Sequence, residues 1–365
     1  MQRIGLDCRL AGEQHAGIGR YTQNLVQRLV TNQQYYWVLF FFSKKQANEI
    51  LGDQKNLPAN IEIIITPVRH YSLKEQLVLP IIFNRARLDL LHIPHFNIPV
   101  FYSGKIVVTI HDLLWHEQRG SHVTTLPAWQ YWLKYGAYQF TVKQAVNRAK
   151  KIFVPSETVA KIVKKYYPNI KTKLVTTYEG IADSFLSTKI EKKPTKNQLV
   201  YTGSLYPHKN IEVVFRALKK LPEFNLKLVG SRSVFQQETM KLAKKYQVEN
   251  QVEFLGRLSD QQLIKLYQES YALVFPSLSE GFGLPGLEAM AVGLPVIVSD
   301  IPIFQEIYQD SAAYFDPNSA EELVEKIRIL GPSRAILAKT GKKLITKYSW
   351  STMADTTLAI YQACL

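Results

Sequence analysis

The feature that most restricts the fold is an alternation of short apolar runs with helix-length amphipathic stretches. Ile4-Gly5-Leu6, residues 36–42, Ile61 to Ile65, Leu88 to Ile93, Ile106 to Ile110 and Ile152-Phe153-Val154 are runs of this kind. Strands apolar without a break are buried on both faces, and strands separated by helices are joined by crossovers. The pattern therefore predicts a parallel sheet of strand-helix-strand units. The alternation is interrupted at residues 184–198, where Lys189, Glu191, Lys192, Lys193, Pro194, Thr195 and Lys196 form a charged, aperiodic stretch that reads as an exposed linker. It resumes near Leu199-Val200-Tyr201, Leu226 to Val229, Val252 to Leu255, Tyr271 to Phe275 and Pro295 to Val298. At 365 residues the chain also exceeds what one core supports. The expectation is two doubly wound α/β domains, residues 1–185 and 186–347, facing each other across a cleft. Such sheets bind ligands at the carboxyl ends of their strands, which suits an enzyme with two substrates.

With 46% hydrophobic residues and no long polar tract, the chain has the composition of a globular protein. Met1 to Asp7 lacks the apolar core of a signal peptide, and Tyr36 to Phe42 falls far short of the roughly 20 residues of a membrane span. Cys8 and Cys364 have neither metal-ligand nor redox spacing, so a cytoplasmic setting is expected. The net charge of +15 is uneven, with 23 Lys and Arg against 12 Asp and Glu in residues 1–185. That bias suits an anionic membrane surface or a phosphorylated acceptor, a soluble basic surface being the plainer reading. No nucleic-acid motif accompanies it, so no nucleic-acid partner is expected.

The segment Ser279-Glu280-Gly281-Phe282-Gly283-Leu284-Pro285-Gly286-Leu287-Glu288-Ala289 follows the run that ends at Phe275-Pro276. Its close glycines let the backbone approach a ligand, and Pro285, favoured as a first helical residue, puts a helix N-terminus against that loop. Amide groups there suit a diphosphate. Glu280 before the helix and Glu288 on its first turns can flank such a ligand and accept hydrogen bonds from vicinal hydroxyls of a ribose or hexose.

This string resembles glycosyltransferase family 4, whose hallmark is a pair of glutamates eight positions apart within E-G-F-G-L-P-x-x-E-A, and the match is nearly letter for letter. The resemblance implies the GT-B fold, two Rossmann-like domains facing each other across a cleft, and a retaining hexosyltransferase that uses a nucleotide-sugar donor. It implies that Glu280 contacts the transferred sugar, that Glu288 contacts the ribose, and that the backbone of Gly281, Phe282, Gly283, Leu284, Pro285 and Leu287 meets the diphosphate. In Tyr201 to Asn210, Gly203 and Lys209 match the family, Lys209 as the cation on the leaving diphosphate. The family's usual Arg is replaced by Ser204 and His208; a protonated His208 is one substitute, an Arg from elsewhere another. Ile106 to Ile110 run into His111-Asp112-Leu113, which resembles the family's H-D-L and would set His111 close to the transferred sugar. Gly17-Ile18-Gly19-Arg20-Tyr21 resembles the glycine loop, whose Gly17 and Gly19 would lie near the donor phosphates. Gly256-Arg257-Leu258-Ser259-Asp260 resembles the loop at the nucleotide base, through Arg257 and Leu258. Asp112, Ser259 and Asp260 read equally as helix caps. Residues 348–365 resemble the family's closing helix, which crosses back toward the first domain.

No D-x-D motif or His-rich cluster offers metal ligands, so no metal and no cofactor are expected beyond the donor substrate. The overall pattern looks most like bacterial mannosyltransferases of polysaccharide assembly. GDP-mannose is thus the first expectation for the donor and a UDP-hexose the second, with a glycan or lipid-linked acceptor. A sugar-nucleotide-binding protein with weak or no turnover, and a GT-B epimerase, are the alternatives. Residues 127–151 read as a long helix crowded with Trp129, Tyr131, Trp132, Tyr135, Tyr138 and Phe140 and followed by Lys143, Arg148, Lys150 and Lys151. Aromatics beside lysines suit the inner face of a cell membrane, and a core stripe is the alternative.

Overall fold

The computed structural model describes residues 1–53, 57–120, 127–188, 197–230 and 235–365. Residues 189–196, the heart of the expected linker, lie outside the described residues. The chain divides into two compact units, Met1–Glu179 together with Trp350–Leu365, and Gly180–Ser349. The division falls a few residues before the 185/186 boundary read from the sequence. The cause is the short helix Asp183–Leu186, where Phe185 packs 6.4 Å from the Tyr267 ring and Ser184 Oγ donates to Asp260 at 3.1 Å.

The first unit is a seven-stranded sheet of β1 (Arg3–Asp7), β2 (Tyr36–Phe41), β3 (Ile61–Ile65), β4 (Leu90–Ile93), β5 (Ile106–Thr109), β6 (Ile152–Val154) and β7 (Leu174–Thr176), in the order β3-β2-β1-β4-β5-β6-β7. The second is a six-stranded sheet of β8 (Gln198–Thr202), β9 (Asn225–Val229), β10 (Val252–Gly256), β11 (Ala272–Phe275), β12 (Val296–Ser299) and β13 (Ala313–Phe315), in the order β10-β9-β8-β11-β12-β13. Every strand pairing is parallel. The edge strands β7 (LVT) and β13 (AYF) escape the sequence reading because, unlike the equally short but wholly apolar and buried β6 (IFV), they are largely half-buried and lack an unbroken run of large apolar residues.

Side chains of the first sheet alternate between two packed faces. Val108, Leu91 and Ile93 join a core with Leu79 and Phe83 of the helix Leu73–Arg85 and with Val142, Ala145 and Val146 of the helix Ala128–Arg148. His92, between Leu91 and Ile93, points the other way, where its Nε2 meets Thr109 Oγ1 at 2.8 Å and its Nδ1 bonds the Tyr361 hydroxyl. Tyr361 belongs to the closing helix Trp350–Cys364, which packs on the helix Ala16–Leu29, with Trp350 6.4 Å from the Tyr21 ring. The last helix of the chain is in this way part of the first unit.

Candidate active site

The second sheet reverses its direction of growth between β8 and β11, with β9 and β10 to one side and β12 and β13 to the other. The carboxyl ends of two adjacent strands at such a reversal leave a crevice, because their following loops diverge. The loop after β8 carries Gly203, Ser204 and the turn Pro207–Lys209; the loop after β11 carries Glu280 and runs into the helix Leu284–Ala291. Asn210, in a left-handed conformation (φ 55°), joins them by donating to the carbonyls of Pro276 at 3.2 Å and Pro317 at 2.8 Å. Leu278 N donates to the His208 carbonyl at 2.8 Å. These ties bring Lys209 and Glu280 together. Lys209 Nζ donates to Glu280 Oε1 at 2.6 Å, and Ser277 Oγ donates to the same oxygen at 2.7 Å. Burial, and then the Glu280 carboxylate, push the Tyr201 and Tyr308 hydroxyls well above the usual phenol range, so both remain proton donors.

Gly283 and Gly286 are explained by Tyr308, whose hydroxyl donates to the Gly283 carbonyl. A methyl group at either position would sit 2.4 Å from Tyr308 atoms, and Gly283 has φ 106°. Their smallness therefore serves the packing of the loop, and only through it the approach of a ligand. Phe282 is buried edge-on against Tyr348 with ring centroids 5.5 Å apart, and Leu284 and Leu287 are buried too, Leu287 with no exposed surface, backbone included. Pro285 is half-buried at the start of the helix, and Glu288 is buried. His208 stacks against Tyr206 with centroids 5.9 Å apart; burial, and then Lys209, lower its pKa to about 3. In the protein without a bound anion His208 is therefore a neutral imidazole. Arg257 is exposed and Leu258 half-buried, ahead of a capping box in which Ser259 Oγ accepts from Gln262 N at 3.3 Å and Gln262 Oε1 accepts from Ser259 N at 2.9 Å.

In the first unit the reversal lies between β1 and β4. Gly17 and Gly19 do not form a loop, as the sequence suggested; they occupy the first turns of the helix Ala16–Leu29. Gly12 N donates to the Gly19 carbonyl at 3.1 Å, and a methyl at Gly19 would lie 1.9 Å from the Gly12 oxygen, so Gly19 is required by chain packing. A methyl at Gly17 would meet nothing within 4 Å, which leaves open space above this helix start. His111 follows β5 and is buried, with Nε2 3.2 Å from the Pro94 carbonyl, Nδ1 3.5 Å from Glu179 Oε1, and Tyr21 edge-on at 4.8 Å. Asp112 is not the cap of the following helix Leu114–Glu117, whose N-cap position is Leu113; its Oδ1 accepts from Leu114 N at 3.1 Å in a local i to i+2 contact.

Two sets of polar residues here escaped the sequence reading. Glu179 is one, buried against His111 although far from it in sequence. The other is a cluster at the ends of β1 and β4 in which Arg9, without exposed surface, bonds Asp7 Oδ2 at 2.7 Å and Glu75 Oε1 at 2.9 Å, while Asn97 Nδ2 donates to Glu75 Oε2 at 2.6 Å. Burial raises the Asp7 pKa, but Arg9 outweighs it and leaves the carboxyl below its ordinary value. Among the described residues no group of three or more His, Cys, Asp or Glu is placed to hold a metal ion.

Residues 15–185 match the family model for Glycosyltransferase Family 4, and residues 183–343 match that for Glycosyl transferases group 1. The O-antigen chain mannosyltransferase RfbU of Salmonella typhimurium is 29% identical over 72% of this chain and 71% of its own. O-antigen chain mannosyltransferase B of Escherichia coli is 25% identical over 95% of this chain and 96% of its own. Among solved structures, WaaG, a glycosyltransferase involved in lipopolysaccharide biosynthesis, superposes with a TM-score of 0.74 at 17% identity, covering 98% of this chain and 99% of WaaG. Anabaena HepE in complex with UDP and glucose gives 0.73 at 17% identity, covering 99% of each chain. The fold is that of the GT-B glycosyltransferases.

Proposed function

We propose, from the premise that this chain belongs to glycosyltransferase family 4, that it is a retaining transferase moving a hexose, mannose before others, from a nucleotide-sugar donor to a glycan or lipid-linked acceptor. The observation that carries the reading is the pairing of Lys209 with Glu280 at the carboxyl ends of the adjacent strands β8 and β11, just ahead of a helix N-terminus. A cation and an acceptor carboxylate held together there suit a ligand that has a diphosphate joined to a polyol.

In this reading Lys209 and the start of the helix Leu284–Ala291 meet the diphosphate charge, Glu280 accepts from hydroxyls of the sugar, and Glu288 accepts from the ribose. The bond from the anomeric carbon to the diphosphate oxygen breaks, and its electron pair leaves with the diphosphate. The acceptor oxygen bonds that carbon from the same face, and its proton passes to the departing diphosphate. The chemistry asks for no metal or further cofactor. Mannose is supported by the two O-antigen chain mannosyltransferases among the relatives, and a UDP-hexose is the second choice in view of HepE. A thermal-shift panel of GDP, UDP, ADP and dTDP sugars tests the donor. Stabilisation by GDP-mannose is expected, and stabilisation by a UDP-sugar alone would overturn the mannose assignment.

The neutral His208, with Ser204 in the place of an Arg, favours a second reading of donor binding with little turnover. Donor hydrolysis and transfer rates separate the two.

A further inference from the structure

The helices on one face of the first sheet are apolar on both of their own sides. Leu73–Arg85 sends Leu79 and Phe83 into the core, yet Leu73, Leu77 and Ile81, spaced one turn apart, are each more than half exposed. Ala128–Arg148 buries Tyr131, Val142, Ala145 and Val146, yet Trp129 (69%), Trp132, Leu133 (71%) and Phe140 face outward and are also more than half exposed. The two helices flank one loop. Gln76 of the first donates to the Ile98 carbonyl at 3.1 Å and accepts from Val100 N at 2.8 Å, and Arg148 of the second donates to the Val100 carbonyl at 2.7 Å. Phe101, next in the chain, is 67% exposed. Water-facing helices do not usually carry large apolar groups in such concentration.

Charge selects the occupant. Exposed Lys74, Arg85, Lys134 and Lys143 lie on these two helices, whose sole acidic residue, Glu75, is buried beneath Arg9. The neighbouring helix Glu157–Tyr166 adds Lys161, Lys164 and Lys165 against Glu157; it is linked through His116, which bonds Tyr138 of Ala128–Arg148 at 2.6 Å and whose carbonyl accepts from Tyr166 at 3.0 Å. A second copy of this chain would oppose lysine to lysine, whereas an anionic surface complements every one of these charges. Tryptophan, phenylalanine and leucine with lysine among them suit a plane where acyl chains meet headgroups, and no described helix is long and apolar enough to cross a membrane.

We propose that the outward faces of Leu73–Arg85 and Ala128–Arg148, with Phe101 between them, seat the protein on an anionic phospholipid surface, with both helices lying in the plane of the interface. The proposal goes beyond the transfer reading and is independent of the donor. Flotation with vesicles of equal phosphatidylcholine and phosphatidylglycerol, against vesicles of phosphatidylcholine alone, tests it. The wild-type chain is expected to float with the anionic vesicles at low salt and to be partly released by high salt. The double variant Trp132→Glu/Leu133→Glu, at exposed positions, should lose about tenfold or more in binding while keeping its melting temperature and nucleotide binding. Ile336→Glu, exposed in the other unit, should float as the wild type does. No flotation of the wild type, equal binding to uncharged vesicles, or undiminished binding of the double variant would overturn the proposal. So would light scattering that finds a dimer broken by Leu133→Glu, which would assign the face to a second copy.

Discussion

The Lys209 ammonium lies 2.6 Å from the Glu280 carboxylate although 71 residues separate the two in sequence. Both side chains are largely withdrawn from water, with 14% and 13% exposed. The pair is thus a preset polar contact in which either member can turn to a ligand while Ser277 continues to hold Glu280.

Lys209→Met should lower turnover by about 10²–10³-fold, the usual effect of deleting one preorganised electrostatic contact to developing charge. Lys209→Arg should recover part of the loss. Steady-state release of nucleoside diphosphate measures both, and a Lys209→Met enzyme as fast as the wild type would remove Lys209 from the site.

Glu179 should act through His111. The 3.5 Å approach of the two groups is longer than a charge-assisted hydrogen bond, so Glu179→Gln should cost about tenfold in kcat, about 1.4 kcal/mol, if the contact holds the imidazole where the reaction needs it. Nucleotide affinity, measured by calorimetry, should be unchanged. An equal loss in nucleotide affinity would instead mean that Glu179 holds the fold.

Gly286→Ala should destabilise the second unit by about 1–3 kcal/mol, since the added methyl meets the Tyr308 ring at 2.4 Å. Because the cost arises from one neighbour, Gly286→Ala/Tyr308→Ala should melt no lower than Tyr308→Ala alone. Additive losses in thermal melts would contradict this packing account.

Acid should destabilise the first unit before any carboxylate titrates. Burial lowers the His92 pKa to about 3 and, with Arg119 adding to it, the His116 pKa to about 4. The unfolded chain takes up these protons near pH 6.5 whereas the folded chain does not. Stability is therefore complete above that pH and is lost as pH falls through the window down to the folded values, by about 1.4 kcal/mol per unit for each histidine. Melting temperatures between neutral and mildly acidic pH should fall, and His116→Asn should flatten the slope; an unchanged slope would show that His116 is protonated in the folded state.

The two-sheet plan was legible because long apolar runs such as Tyr36 to Phe41 and Ile106 to Thr109 are fully or almost fully buried strands. The segment from Glu280 to Glu288 was legible because its glycines, proline and carboxylates are consecutive. What the sequence hid depends on contacts between distant residues. Gly17 and Gly19 read as a loop since nothing local announces that Gly12 pairs with Gly19 and lets a helix begin there. Glu179 has no neighbour in sequence to point toward His111. Leu73, Leu77 and Ile81 have the spacing of a core stripe, and only tertiary packing reveals that they face outward.

Whether Glu280 serves sugar transfer is decided by release of GDP from GDP-mannose by the wild type and by Glu280→Gln, with GDP binding to each measured by calorimetry. The wild type should turn over, Glu280→Gln should lose about 10²-fold or more, and both should bind GDP with similar affinity. Turnover by Glu280→Gln at the wild-type rate would contradict that role.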